Sequence, residues 1–344
     1  MEFLVILYRA SQNLIQPERT RMTILNNQRV IAIEEHYVDA NVMANVQGTD
    51  AAAAGPIRAL LDDVGEARIK SMDAAKIDVQ VLSHAPPAAQ QMDAETGVRI
   101  ARDANDALHQ ICQNHPDRFA AFAMLPTADA AASADELERC VDKLGFKGAI
   151  IHGLTGDARL FIDDKRFWPI FERAQSLDAP LYIHPAMPHP AVFDAYYKDY
   201  AKDFPALATA GFGFTMETAV AGLRIVLSGV LEKYPGVKII LGHLGEALPF
   251  LLWRIDMALN RPGNKGVAFR EIFTSNFYLT TSGFFSDPAL LCCIQEMGVD
   301  RLLFAIDYPF VENDPGPKWM EGLMLNVDDK AKILHGNAER LLGM

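Results

Sequence analysis

The stretch RVIAIEEH, residues 29–36, is a short run of β-branched and small apolar side chains that ends on two carboxylates and an imidazole. It reads as a β-strand with chemistry at its C-terminal end. Seven further runs of the same kind follow: 78–84 (DVQVLSH), 119–125 (FAAFAML), 147–152 (KGAIIH), 179–184 (APLYIH), 237–243 (VKIILGH), 277–282 (FYLTTS) and 302–307 (LLFAID). Helical patterns cover 57–75, 96–115, 132–144, 167–177, 216–233, 246–260, 287–297 and 328–342. In the third of these Leu137, Cys140, Val141 and Leu144 share one face at the 3.6-residue period. Eight strands alternating with helices predict an α/β fold, a (β/α)8 TIM barrel. The alternative is an open doubly wound sheet. No GxGxxG or Walker loop follows any strand, so nothing supports a nucleotide-binding version of it.

The 344 residues fit one such barrel with insertions, and no internal repeat or low-complexity linker divides them. We read residues 1–28 as an N-terminal extension and 29–344 as a single domain; Met22 would itself serve as a start. Phe3–Tyr8 is apolar but too short for a signal sequence, and Glu2 stands where a basic residue would. No stretch approaches the roughly 18 apolar residues of a membrane span. The inserted loops are 37–56 after strand one and 185–215 after strand five. The second carries Phe193, Tyr196, Tyr197, Tyr200, Phe204, Phe212 and Phe214 and reads as a lid, a binding loop or a subunit contact. The net charge of −12 argues against nucleic acid or an anionic membrane as partner. Cys112, Cys140, Cys292 and Cys293 form no CxxC, which suggests reduced thiols and a cytoplasmic location.

Five of the nine histidines close a strand: His36, His84, His152, His184 and His243. The eighth strand ends in Asp307. One such histidine would ordinarily be a satisfied polar residue; five beside carboxylates at the catalytic end of a barrel point to a site. Strand alternation puts Glu34 and His36 on one face, with Ala32 before them, and turns Glu35 to the helix layer as an ion pair or cap. Glu34, His36, His184 and Asp307 can then converge from strands one, five and eight. Two imidazoles and two carboxylates suit one divalent ion, Zn2+ or Mn2+. A purely structural ion is the plainer alternative. In LGHLGE, Glu246 stands three residues after His243 and could orient its ring for acid–base work, or serve as a first-turn acid of the next helix. Arg254 lies in an otherwise apolar helix. It would hold a substrate carboxylate with its planar fork, or else pair with Asp256. Lys147 sits at the wrong end of its strand to bridge metals.

At these residues the chain resembles the metal-dependent aromatic acid decarboxylase branch of the amidohydrolase superfamily, the γ-resorcylate and 2,3-dihydroxybenzoate type. The matching pieces are IAIEEHY (31–37), HPDRFAAFAMLP (115–126), LYIHP (181–185) and METAVAGLRIVLSGVLEKYPGVKIILGHLGEALPFLLWRID (216–256), then NFYLTTSG (276–283) and DRLLFAIDYPF (300–310). The first-strand ExH, in place of the hydrolases' HxH, fits that branch. The resemblance implies metal ligation by Glu34, His36, His184 and Asp307. It implies that His243 and Glu246 support acid–base chemistry and that Arg254 contacts the substrate; Asp307 is the candidate proton donor, with His243 as the alternative donor. The implied reaction is non-oxidative decarboxylation of an ortho-hydroxy aromatic carboxylic acid, by a homodimer or homotetramer. A metal-dependent hydrolase or hydratase acting on a lactone or unsaturated acid is the alternative. Loop 185–215 and GLTGDARLFIDDKRFW (153–168) depart from the pattern, which leaves the ring substituents open.

Overall fold

The computed structural model describes residues 28–46, 55–156 and 159–344. Residues 1–27 of the expected extension, and 47–54 of the first inserted loop, lie outside the described residues. The strands are β1 (Ile31–Tyr37), β2 (Val79–His84), β3 (Phe119–Ala121 and Ala123–Met124), β4 (Ala149–His152), β5 (Leu181–His184), β6 (Ile239–Leu241), β7 (Phe277–Thr280) and β8 (Leu302–Leu303). Every neighbouring pair is parallel. β3 changes partners at Phe122. The Phe122 N–H donates to the Leu82 carbonyl on one side (2.9 Å), and the Ala123 N–H to the Gly148 carbonyl on the other (2.9 Å). The chain after β8 returns to β1, where the Ile33 N–H reaches the Phe304 carbonyl at 3.1 Å. These bonds close the eight strands into the expected (β/α)8 barrel.

The strands read as nearly continuous apolar runs because both faces are buried. Ile31, Ile33, Val81, Phe122, Ile150 and Tyr182 belong to the cluster that fills the barrel. Their alternates Ala32, Leu82, Ile151 and Ile183 pack outward against helices, in one cluster with Leu137, Ile225 and Leu248. Each large aliphatic buried this way contributes about 1.5–3 kcal/mol. One register detail corrects the strict alternation expected for β1. Ala32 pairs with Gln80 and Glu35 with Leu82, so Ile33 and Glu34 together face Val81 across a β-bulge. Ile33 and Glu34 therefore both turn inward. Ala32 lies on the helix side, not on the face of Glu34 and His36.

The helices differ from expectation mainly at their ends. The expected helix 57–75 is two, Arg58–Asp62 and Glu66–Ala75, broken before Gly65. The expected 216–233 is Gly213–Leu227 and Val230–Lys233, divided where Gly229 takes φ +83°. Loop 185–215 is mostly short helical turns, with Tyr197 buried and Tyr196, Tyr200 and Phe204 exposed. Among the described residues outside loop 185–215, the helices Ala40–Asn45, Phe269–Asn276 and Pro315–Gly322 had no sequence signal. The expectation about membrane spans also needs correction. The 23-residue stretch Pro205–Leu227 is long and apolar enough to cross a bilayer by length and composition. Its most apolar window is 44% buried, and Ile225 and Val226 belong to the barrel's outer core.

Candidate active site

The C-terminal ends of β1, β5 and the segment after β8 bring Glu34, His36, His184 and Asp307 together, with one ligand atom from each lying within 4.8 Å of all the others. Glu34 Oε1 is 3.2 Å from His184 Nε2 and 3.9 Å from His36 Nε2. Asp307 Oδ1 is 3.4 Å from His36 Nε2. Glu34 Oε1, His36 Nε2 and Asp307 Oδ1 are buried with no hydrogen-bond partner among the described residues. Buried polar atoms are rarely left so, and three aimed at one point call for a shared ligand. Two carboxylate oxygens and two imidazole nitrogens fit a divalent cation, whose charge the carboxylates match.

The surroundings hold each ligand in the form a cation needs. Glu34 Oε2 accepts from the hydroxyls of Tyr182, Ser282 and Thr280, which leaves Oε1 uncommitted. Burial works to raise the Glu34 carboxyl, but His243 and His184 outweigh it and hold it below its ordinary value. Burial lowers the His36 imidazole and so favours its neutral form, while Ser83 Oγ lies 3.2 Å from Nδ1. His184 Nδ1 is 2.7 Å from the Pro185 carbonyl and 2.9 Å from His152 Nδ1. The Pro185 carbonyl can only accept, so the His184 proton sits on Nδ1 and Nε2 offers a lone pair. His152 donates from Nε2 to the His84 carbonyl at 2.8 Å, and its own Nδ1 can accept from His184. Burial holds His152 well below the usual histidine range, in keeping with that neutral role. His84 and His152 thus stand behind the ligands, outside the cluster. Gly242 admits the Glu34 carboxylate: a Cβ there would lie 3.0 Å from Glu34 Oε2 and 3.2 Å from the Tyr182 hydroxyl.

His243 stands across the mouth, with Nε2 3.8 Å from Glu34 Oε1 and 3.7 Å from Asp307 Oδ2. Its Nδ1 meets Glu246 Oε1 at 2.7 Å. No helix begins at Glu246. His243–Ala247 form a left-handed turn with φ of 49°, 54°, 77°, 53° and 64°, and the helix starts only at Leu248. That turn folds Glu246 back onto the imidazole. Burial disfavours a charged His243, but Glu246, Glu34 and the contact with Asp307 outweigh it and raise the imidazole well above the ordinary range. Asp307 shows the reverse. Burial works to raise its carboxyl, and His243 and His36 together hold it below the usual carboxylate value. Asp307 itself takes a left-handed φ of 71°.

Arg254 lies on the exposed side of helix Leu248–Leu259 and makes no hydrogen bond or ion pair with the described residues. The alternative pairing with Asp256 does not form; an Asp256 oxygen accepts the Arg270 N–H at 3.0 Å instead. Lys147 lies at the far end of the barrel, bonded to the Gly343 carbonyl at 3.2 Å. All four cysteines are free thiols. Sequence reasoning assigned no role to Tyr182, Thr280 or Ser282. Tyr182 could have been found from its place two residues before His184 on the same strand. It also missed Phe310, half-exposed with its ring centroid 5.6 Å from that of His36, where it walls the mouth.

A family model described as amidohydrolase matches residues 36–344. The γ-resorcylate decarboxylase of a Polaromonas species is 40% identical over 90% of this chain and 97% of its own length. The crystal structure of a Polaromonas dihydroxybenzoic acid decarboxylase, with bound manganese and the inhibitor 2-nitroresorcinol, superposes with a TM-score of 0.84. It is 38% identical and covers 92% of this chain and 97% of that one. The 5-carboxyvanillate decarboxylase of Novosphingobium aromaticivorans, with manganese and 4-hydroxy-3-methoxy-5-nitrobenzoic acid, gives 0.85 at 30% identity, covering 92% and 97%. Together with the donor set, these likenesses identify the cluster as the site of a divalent metal cofactor.

Proposed function

The chain belongs to the amidohydrolase family, and we propose that within it this chain is a metal-dependent decarboxylase of ortho-hydroxy aromatic carboxylic acids. The observation that carries the reading is the convergence of three unpartnered ligand atoms, with His184, beside the His243–Glu246 pair. A bound divalent cation supplies a Lewis acid for the substrate's carboxylate and phenolate oxygens. We take it to be Mn2+ rather than Zn2+, because two of the similar crystal structures hold manganese. Glu34, His36 and His184 would hold the cation through the atoms that converge there, and Asp307 would ligate it through Oδ1 while its Oδ2 lies toward His243.

The proton follows from the charge pattern. His243 is the natural proton store, and Asp307, 3.7 Å away, is the acceptor that passes the proton on. Asp307 delivers it to the ring carbon that bears the carboxylate. The carbon–carbon bond then breaks, carbon dioxide leaves with no electron pair, and that pair restores the aromatic ring. Glu246 keeps the His243 ring oriented and supports its charge for reprotonation from solvent. No redox cofactor enters the balance. Phe310 offers an aromatic wall for the substrate ring.

Arg254 remains the proposed contact for the substrate carboxylate, supported by its uncommitted guanidinium. It sits on a helix that leaves the mouth directly after Glu246. The same helix exposes Phe250 (81%) and Trp253 (66%), an apolar face suited to a second copy of the chain in a homodimer or homotetramer. We place the enzyme in the cytoplasm on its thiol chemistry. The test is turnover of a panel of hydroxybenzoates by Mn2+-loaded enzyme. Carbon dioxide and the matching phenol are expected. A product that keeps every substrate carbon and gains water would instead indicate a hydrolase or hydratase.

A further inference from the structure

Three consecutive amides, those of Ile306, Asp307 and Tyr308, are all claimed by β1. The Asp307 N–H donates to the Glu34 backbone carbonyl at 3.0 Å. The two flanking amides go instead to a side chain: Ile306 N–H to Glu35 Oε1 at 2.9 Å, and Tyr308 N–H to Glu35 Oε2 at 3.3 Å. The His36 N–H returns the contact to the Tyr308 carbonyl at 2.6 Å. Glu35 is fully buried on the helix side of β1 and makes no ion pair within 4 Å among the described residues. Its Oε2 also accepts from Gln80 Nε2 at 3.3 Å. That nitrogen donates as well to Asn313 Oδ1 at 3.0 Å, and Asn313 Nδ2 donates to Ser71 Oγ at 2.9 Å. The ion pair or cap expected from the sequence is thus a clamp on the peptide units either side of Asp307.

The clamp is needed because Asp307 is left-handed. A regular ladder would give alternate amides of this segment to β1 carbonyls. The kink at Asp307 turns the amides on both sides away from that pattern, and a buried amide without an acceptor is costly. A two-oxygen side chain at the bulge of β1 can accept both at once. An amide side chain, with a single oxygen, cannot.

We propose that Glu35 is a positioning residue, which clamps the Ile306 and Tyr308 amides and thereby aims the Asp307 carboxylate at the metal and the substrate. The proposal rests on the reading of Asp307 as a metal ligand, and its test separates the two. Mn2+ affinity is measured by titration of metal-free protein for the wild type, Glu35→Gln, Asp307→Asn and the double variant. Glu35→Gln keeps the size but leaves one flanking amide facing an NH2 group. Its Kd for Mn2+ should rise about tenfold, and kcat of fully loaded enzyme should fall with little change in KM. In the Asp307→Asn background the same change should shift Kd less than about twofold. An equal shift in both backgrounds, or no shift in the wild type, overturns the proposal. If Asp307→Asn alone leaves Kd unchanged, the ligand reading fails instead, and the positioning role falls with it. Gln80→Leu leaves Glu35 in place but removes one donor to its Oε2, together with the bond to Asn313, so it serves if Glu35→Gln does not fold. A smaller rise, about threefold and likewise erased by Asp307→Asn, supports the clamp; an unchanged Kd overturns it.

Discussion

Replacing Asp307 by Asn discriminates most sharply among the chemistries this site could run. The substitution keeps size and one oxygen for the cation, but an amide can neither carry nor deliver an acidic proton. In the wild type one carboxylate oxygen lies 3.4 Å from His36 Nε2 and the other 3.7 Å from His243 Nε2. With Asn, either the NH2 group meets the charged His243 or the oxygen leaves the cation. Loss of a general acid costs about 10²–10⁴-fold in rate, equal to roughly 2.7–5.5 kcal/mol of barrier. The cation should stay at saturating Mn2+, held by Glu34, His36 and His184. The assay follows loss of the substrate's ultraviolet band and release of carbon dioxide, with metal counted per chain in the same samples. For the wild type in deuterium oxide, one deuterium should appear at the carbon that lost its carboxylate. A metal-loaded variant working within about tenfold of the wild type would refute Asp307 as the donor and leave that role to His243.

Metal analysis should find one divalent ion per chain after reconstitution; full activity after verified chelation would contradict the site. Binding should also stabilise the fold, by about 2.7 kcal/mol at a hundredfold excess over Kd, visible as a rise in Tm. Arg254→Lys keeps charge but loses the planar fork, so kcat/KM should fall about tenfold or more; an unchanged value removes Arg254 from substrate recognition. Burial pushes the His84 imidazole down to about 4 from its ordinary 6.5, so the unfolded chain binds its proton first as pH falls. Its contribution is present above about pH 6.5 and is lost as pH falls toward 4, a change of about 3 kcal/mol at 1.36 kcal/mol per unit. Denaturation of chelated wild type and His84→Asn across that window checks this; equal pH slopes would rule it out.

The barrel was legible because its strands are buried on both faces and stand out as apolar runs. The ligand set was legible because the residues follow strand geometry. Glu34 and His36 share a face, and His184 closes its strand. What sequence could not give was local backbone departure from those periods. The bulge at Ile33–Glu34 turns two successive residues inward and sends Ala32 to the helix side. Simple alternation reached the right face for Glu34 while misplacing Ala32. Of the three hydroxyls behind Glu34, Tyr182 is marked by its place on the strand of His184, but its grouping with Thr280 and Ser282 arises only when the barrel closes. The sequence reading took His36 and His184 as ligands and His243 for acid–base work, but gave His84 and His152 no role. Ligation by His184 and support by His152 differ only in which nitrogen faces what.

The reactive groups sit where the chain leaves regular structure. His243, Leu244, Glu246, Ala247 and Asp307 all have positive φ without being glycine. A left-handed residue costs roughly 1–2 kcal/mol, so the turn at His243–Ala247 alone stores several kcal/mol. Local propensity would never choose it, and the helix read from 246 shows as much. Tertiary packing holds it instead. Leu244 and Leu248 are buried, the Leu244 carbonyl accepts from the Cys293 thiol at 3.3 Å, and the Gly245 N–H reaches the Gly242 carbonyl at 2.7 Å. A right-handed helix starting at His243 would also place Glu246 three residues on, but it would direct both side chains along the helix surface. The left-handed turn instead folds Glu246 beneath the imidazole while His243 Nε2 looks toward Glu34 and Asp307. The strain is therefore tied to the placing of His243 between Glu246, Glu34 and Asp307. The surrounding core, rather than the turn's own sequence, fixes where that imidazole stands.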